Sequence, residues 1–174
     1  MAQVLNNPVV IVGGGGGGGD NLWNEFVVNK RTDWSYMFAN FSGNSIDLYL
    51  AGQDSSKVTN ASYMFSQCNA LKSVPNFNTS NVTNMENMFF YCNSLKTAPA
   101  MDTSKVTKMG AMFRYARSLE SVPAYNTSKV TTVSYMFGSC EALKSVPFLD
   151  LSSATDVSSM FEGCQSLETI ELAS

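Results

Sequence analysis

Val82-Thr83-Asn84-Met85-Glu86-Asn87-Met88-Phe89-Phe90-Tyr91-Cys92-Asn93-Ser94-Leu95-Lys96-Thr97-Ala98-Pro99 is one copy of a pattern that the chain uses over and over. Its Met-Phe pair recurs at Met37-Phe38, Met64-Phe65, Met112-Phe113, Met136-Phe137 and Met160-Phe161, with the phenylalanines 27, 24, 24, 24 and 24 residues apart. Six of the ten methionines and six of the eleven phenylalanines fall in these two slots, which chance does not produce. A fixed period of this length marks a repeat architecture, in which a unit that cannot bury its apolar side alone does so against its neighbours.

Other slots keep the period when counted from the Phe. Slot +3 holds Cys68, Cys92, Ala116, Cys140 and Cys164, and slot +6 holds Leu71, Leu95, Leu119, Leu143 and Leu167. Val74, Ala98, Val122, Val146 and Ile170 follow, then Pro75, Pro99, Pro123 and Pro147, with Glu171 in the last copy. Slot −4 holds Trp34, Ala61, Met85, Met109, Val133 and Val157. Apolar slots at −4, −1, 0, +3 and +6 have the spacing of one helical face, which predicts a short helix or helical turns. The Leu-to-Pro segment reads as brief and extended, because a proline in every repeat removes one ladder donor each time. Asp54, Asn78, Asp102, Asn126 and Asp150, each followed two residues later by Ser, read as turn or helix-entry residues. A ladder of oxygen ligands for calcium is the alternative for that column.

The predicted fold is therefore an α/β repeat solenoid, a right-handed stack of about five 24-residue rungs with an N-terminal cap. The division expected is a β-prone anchor segment over 1–12, a glycine linker over 13–20, a capping rung over 21–53 and the repeat body over 54–174. Glu168 and Glu171 give the last rung a polar finish, with a covering partner as the alternative.

Composition narrows the function classes. Net charge is −3, and no basic stripe of the kind that binds phosphate backbones is visible, so no nucleic-acid partner is expected. No apolar run approaches the roughly 20 residues of a membrane-spanning helix, so no membrane partner is expected either. Residues 1–12 carry no Lys or Arg and only a short apolar stretch, which predicts no signal peptide. Val9, Val10, Ile11 and Val12 form a strong β-former run and are the candidate anchor, a strand that adds to a partner's sheet edge. Gly13 to Gly19 lacks the Lys-Ser/Thr and the Gly-x-Gly alternation of phosphate-binding loops and reads as a tether.

Chemistry is sparse. The chain has no histidine, so a nucleophile lacks its commonest base and a mixed zinc site its commonest nitrogen ligand; no catalytic residue, metal ligand or cofactor is predicted. The four cysteines, in one repeat slot that Ala116 also fills, suit buried thiols; Cys68–Cys92 or Cys140–Cys164 disulfides and a metal site are the alternatives. Lys72, Lys96, Glu120, Lys144 and Glu168 make a mixed-charge column that reads as a solvated face.

Function is expected where the repeat varies. Slots +1 and +2 hold Ser66-Gln67, Phe90-Tyr91, Arg114-Tyr115, Gly138-Ser139 and Glu162-Gly163. If they point outward, Phe90, Tyr91, Arg114 and Tyr115 form one patch across two rungs. Aromatic rings beside an arginine are the composition of interaction hot spots.

The pattern Val-Thr-x-Met-x-x-Met-Phe-x-x-Cys-x-x-Leu-x-x-Val-Pro, as in Val82 to Pro99, resembles the BspA-like leucine-rich repeat family of bacterial surface proteins over residues 54–170. The resemblance implies a leucine-rich-repeat-like solenoid of the kind found in adhesins and in some phage-encoded proteins. With the head and the absent export signal, the expected role is a non-enzymatic component of a phage virion, such as a tail-fibre, baseplate or capsid-decorating protein. A bacterial cell-surface adhesin is the alternative. The partners expected are a protein through the N-terminal segment, a surface protein or glycan on the repeat face, and further copies of the chain or a larger assembly.

Overall fold

The computed structural model describes residues 32–50 and 53–172. Successive copies of the repeat lie side by side in parallel register. One line of single bridges runs Asp33↔Asn60, Asn60↔Asn84, Asn84↔Lys108, Lys108↔Thr132 and Thr132↔Asp156. A second line lies after the Leu slot and contains Ser45↔Ser73 and Thr97↔Ser121. Helix α1, Asp47–Leu50, is the only helix among the described residues, and strands β1, Ser145–Leu149, and β2, Thr169–Leu172, are the only named strands.

The helical expectation is corrected. Alternate backbone N–H groups through the Met-Phe segment leave the repeat altogether. Those of Ala61, Tyr63, Phe65 and Gln67 donate to the carbonyls of Asn84, Glu86, Met88 and Phe90, 2.6–2.9 Å away. The N–H groups between them turn back three residues, Met64 to Ala61, Ser66 to Tyr63 and Cys68 to Phe65. The same alternation recurs from Trp34 to Asn40, Met85 to Tyr91, Met109 to Tyr115 and Val133 to Ser139. An α-helix needs every one of these donors for its own i−4 carbonyl. So short a helix is also marginal without packing, whereas the neighbouring repeat offers a carbonyl for every second donor.

This ribbon of turns sets the backbone. The turns closing on Met64 and Cys68 place Tyr63 (φ 57°) and Gln67 (φ 62°) third, the position that must be left-handed in a type II turn. The same two slots, −2 and +2, have positive φ in each of the six copies, from Tyr36 (57°) and Asn40 (63°) to Ser159 (50°) and Gly163 (75°). A residue with a Cβ is strained there by about 1–2 kcal/mol. Ala111 (φ 51°) carries that strain with almost no side chain. Ala111→Gly is therefore expected to raise stability by about 0.5–1 kcal/mol, seen as a higher urea midpoint, whereas a helical segment would lose that much.

Proline explains where strands form. Copies facing each other across Pro75, Pro99 and Pro123 make at most single bridges, while β1 and β2 pair over Ser145↔Thr169 and Val146↔Ile170. That pairing occurs where Glu171 stands in the proline slot, and its register shifts between Val146 and Leu149, around Pro147.

Inside the stack the repeat slots become columns. Phe38, Phe65, Phe89, Phe113, Phe137 and Phe161 stack ring on ring at 5.3–5.8 Å with planes within 9° of parallel. The Met, Cys and Leu slots are buried beside them up to Leu143. Each thiol donates to the carbonyl of the Phe one copy back, Cys68 to Phe38, Cys92 to Phe65, Cys140 to Phe113 and Cys164 to Phe137, at 3.0–3.1 Å. All four cysteines are free thiols.

Polar columns close the edges. In the Asx column Oδ1 of Asp54, Asn78, Asp102, Asn126 and Asp150 accepts the N–H two residues on, at 3.0–3.1 Å. This is the turn role. Bonds from the Ser104 amide and hydroxyl hold the Asp102 carboxyl below its usual range, and the Ser152 hydroxyl and amide do the same for Asp150. Beside it, buried Thr79, Thr103 and Thr127 donate their hydroxyls to the carbonyls of Asp102, Asn126 and Asp150 in the next copy. A further threonine column, Thr59, Thr83, Thr107, Thr131 and Thr155, bonds the copy before it through both N–H and hydroxyl. Sequence reading overlooked both threonine ladders, whose regular 24-residue recurrence was their signal.

Candidate functional site

The four patch residues named from the sequence come together, and a fifth joins them. Tyr91 and Tyr115 occupy slot +2 at φ 59° and 62°. Their N–H groups donate to the carbonyls of Arg114 and Gly138 in the next copies, at 2.9 and 2.8 Å, and this pairing sets their spacing. The two rings stack at 4.4 Å with planes 25° apart. Phe90 stands edge-on to both, 4.7 Å from Tyr91 and 5.8 Å from Tyr115.

Arg114 extends the stack. Its guanidinium carbon lies 4.9 Å from the centroid of Tyr115 and 4.1 Å from that of Tyr135, and Nη2 donates to the Tyr115 hydroxyl at 3.3 Å. Gly138 makes room for it: a Cβ there would sit 3.3 Å from Cγ of Arg114. All five side chains are half-buried. A cation over aromatic faces gains about 0.5–2 kcal/mol, which helps to hold the arrangement together.

The outward expectation for slots +1 and +2 needs correcting in one respect. Ser66 and Gly138, in slot +1, are buried, while slot +2 is exposed at Asn40 and Gln67 and half-exposed at Tyr91, Tyr115 and Ser139. In the turn ribbon the +1 side chain lies down against the next copy, which is how Arg114 reaches Tyr135. Slot −2 is the outward position that sequence reading missed. It varies as freely as the others, with Tyr36, Tyr63, Asn87, Ala111, Tyr135 and Ser159, and that variability was the available signal. The same slot forms a second tyrosine pair, Tyr36 and Tyr63, stacked at 4.5 Å. Burial, then Tyr36 and Glu86 beside it, push the Tyr63 phenol up.

The mixed-charge column is exposed throughout, with Lys96 and Glu120 3.6 Å apart. Arg117 and Glu141 pair at 3.3 Å, also at the surface. Such pairs contribute about 0–1 kcal/mol. A hollow of about 390 Å³ between α1 and Pro75–Asn78 is lined by acid and amide side chains around Phe77 and lacks the cation-aromatic combination. The candidate anchor, Val9 to Val12, lies outside the described residues, as do the linker over 13–20 and the first part of the cap.

Parallel copies stacked on a column of apolar side chains, with variable residues on the turn face, define a leucine-rich repeat protein of the BspA-like kind. The chain belongs to the family described as "Mycoplasma protein of unknown function, DUF285", whose model matches residues 20–75 and 69–172. Among solved structures it is similar to the T. pallidum leucine-rich repeat protein TpLRR, at 19% identity and a TM-score of 0.50 over 75% of this chain. A leucine-rich repeat protein from Bacteroides ovatus aligns over 68% of this chain at 18% identity and a TM-score of 0.33. The chain spans 63% and 41% of the lengths of those two proteins. At 19% identity the likeness to TpLRR is one of fold. No match was found among curated proteins.

Proposed function

We propose that this chain is a non-enzymatic binding module, a right-handed solenoid of about five 24-residue rungs capped by residues 21–53, with its ligand face at Phe90, Tyr91, Arg114, Tyr115 and Tyr135. The observation that carries the reading is the convergence of those five side chains on one half-buried cluster spanning three copies. The rest of the ribbon is fixed by the core columns, so substitution in the outward slots −2 and +2 changes the surface while the stack is kept. Repeat proteins present extended surfaces of this kind for binding. Phenol rings and a stacked guanidinium offer contact area and donors, the requirements of a holding site. Residues 1–12 would tether the module to a protein partner through the linker over 13–20. Of the two placements, a bacterial-surface adhesin draws on the bacterial family and on TpLRR; the virion placement finds no support in the comparisons.

The test uses the full chain and a double variant, Tyr91→Ser with Tyr115→Ser. Ser139 already occupies the same slot at φ 58°, so the ribbon accepts the change. Binding to intact bacterial and mammalian cells, read by flow cytometry, is expected to fall at least about tenfold, the loss of more than 1 kcal/mol typical of hot-spot aromatics, with the thermal midpoint little changed. Undiminished cell binding by the folded variant would overturn the assignment of this face.

A further inference from the structure

We propose that the Phe90–Tyr91–Arg114–Tyr115–Tyr135 cluster recognises an acidic saccharide, with Arg114 gripping a carboxylate or sulfate group on the sugar. This deepens the reading of the cluster as the ligand face and rests on it.

The argument begins with how Arg114 is held. Its guanidinium lies over the rings of Tyr115 and Tyr135, which hold it in place. Of five N–H donors, one goes to the Tyr115 hydroxyl. Among the described residues Arg114 takes part in no ion pair, whereas Arg117, three residues on, is paired with Glu141. In a chain with 14 acidic and 11 basic residues, an arginine clamped in place and left without a carboxylate is a donor fork awaiting an anion. The clamp also lowers the cost of binding, since the side chain is ordered beforehand.

The surroundings say what bears the anion. Tyrosine rings have two side-chain torsions and lose little entropy on contact, and their hydroxyls both donate and accept, which suits a ligand made of C–H faces and hydroxyl groups. Phe90 and Tyr91 supply ring surface on one side of Arg114 and Tyr135 on the other, with the short polar Asn87 and Ser139 in the flanking slots. Five half-buried side chains are a small footprint beside the roughly 800 Å² per partner of a stable protein interface, and a single cation is too few for a polyanionic backbone.

Calorimetric titration of the full chain with three hexasaccharides tests this: hyaluronan, which carries only carboxylates; heparin, rich in sulfate; and cellohexaose, which is neutral. At least one acidic sugar is expected to bind about tenfold or more tightly than cellohexaose, and the two acidic arms separate carboxylate from sulfate recognition. Arg114→Gln keeps the stem and should bring the acidic sugar to the neutral level. Arg114→Lys keeps the charge without the planar fork and should fall between. Thermal midpoints establish that both variants are folded. Equal binding of acidic and neutral sugars, or an Arg114→Gln variant that keeps the preference, overturns the acidic-sugar assignment. So does an absence of saccharide binding alongside cell binding that the tyrosine double variant still abolishes; that result leaves the binding face standing and makes its ligand a protein.

Discussion

Phe113→Ala is expected to cost about 3–5 kcal/mol and to break the stack near its middle. Phe113 is fully buried, with Phe89 5.4 Å away on one side, Phe137 5.8 Å on the other, and the ring of Tyr125 at 6.3 Å. Removing the ring leaves a cavity that two rigid hydrogen-bonded neighbours cannot close, and it forfeits both stacking contacts, each about 0.5–1.5 kcal/mol beyond burial. Stability in a repeat array is a sum of copies and the interfaces between them, so the damage is local before it is global. Urea unfolding by circular dichroism should show a large drop in midpoint, and hydrogen exchange should lose protection first at the amides of Phe89 and Phe113, which bridge the weakened interfaces. Phe90→Ala, one slot outward and half-buried, is the control and should cost far less. A loss of under about 1 kcal/mol at Phe113 would mean the aromatic column does not hold the copies together.

The second large effect is in thiol chemistry. Cys92 is buried, and burial first, with Cys68 beside it, holds its thiol well above the usual range. Burial does the same to Cys140, reinforced by Cys164. Cys164 is half-buried and raised by burial, partly offset by the backbone at Cys140. The thiolate is the reactive form, so each unit of upward shift slows alkylation about tenfold, and exclusion of reagent slows it further. With iodoacetamide at pH 8 the native protein is expected to label at Cys164 first, and at Cys92 and Cys140 at least about 100-fold more slowly than a free thiol, read by peptide mass spectrometry. Four equal, fast rates would contradict the buried columns. The sign of the accompanying pH effect follows. The folded pKa values are raised, so the thiols' contribution is fully present below the unfolded value near ~8.5 and is lost as pH rises above it, where the unfolded chain ionises and the native one does not.

Much of this was legible beforehand. The Met-Phe, Cys and Leu slots named a core that is buried as expected from Trp34 to Leu143, because a fixed period can be satisfied only by copies burying the same face. The Asx-x-Ser signal named turns that form, because a side-chain oxygen two residues before an N–H makes the bond locally. The patch was half legible. Phe90, Tyr91, Arg114 and Tyr115 stood out as variable aromatics in a regular frame, yet Tyr135 belongs to the following copy and joins only through the reach of Arg114.

What the sequence by itself determined was which side chains are buried and at what period, since apolar spacing is a local property of the chain. What only the tertiary structure decided was the course of the backbone through them. Apolar slots at −4, −1, 0, +3 and +6 fit a helix face as well as they fit a ribbon of turns, and the choice falls to the N–H groups. Every second one finds its acceptor 23 residues ahead (26 in the first copy), on a neighbour that exists only once the copies have stacked. That export drives slots −2 and +2 to positive φ, turns their side chains outward, and so creates the face on which Tyr91, Tyr115 and Tyr135 meet Arg114.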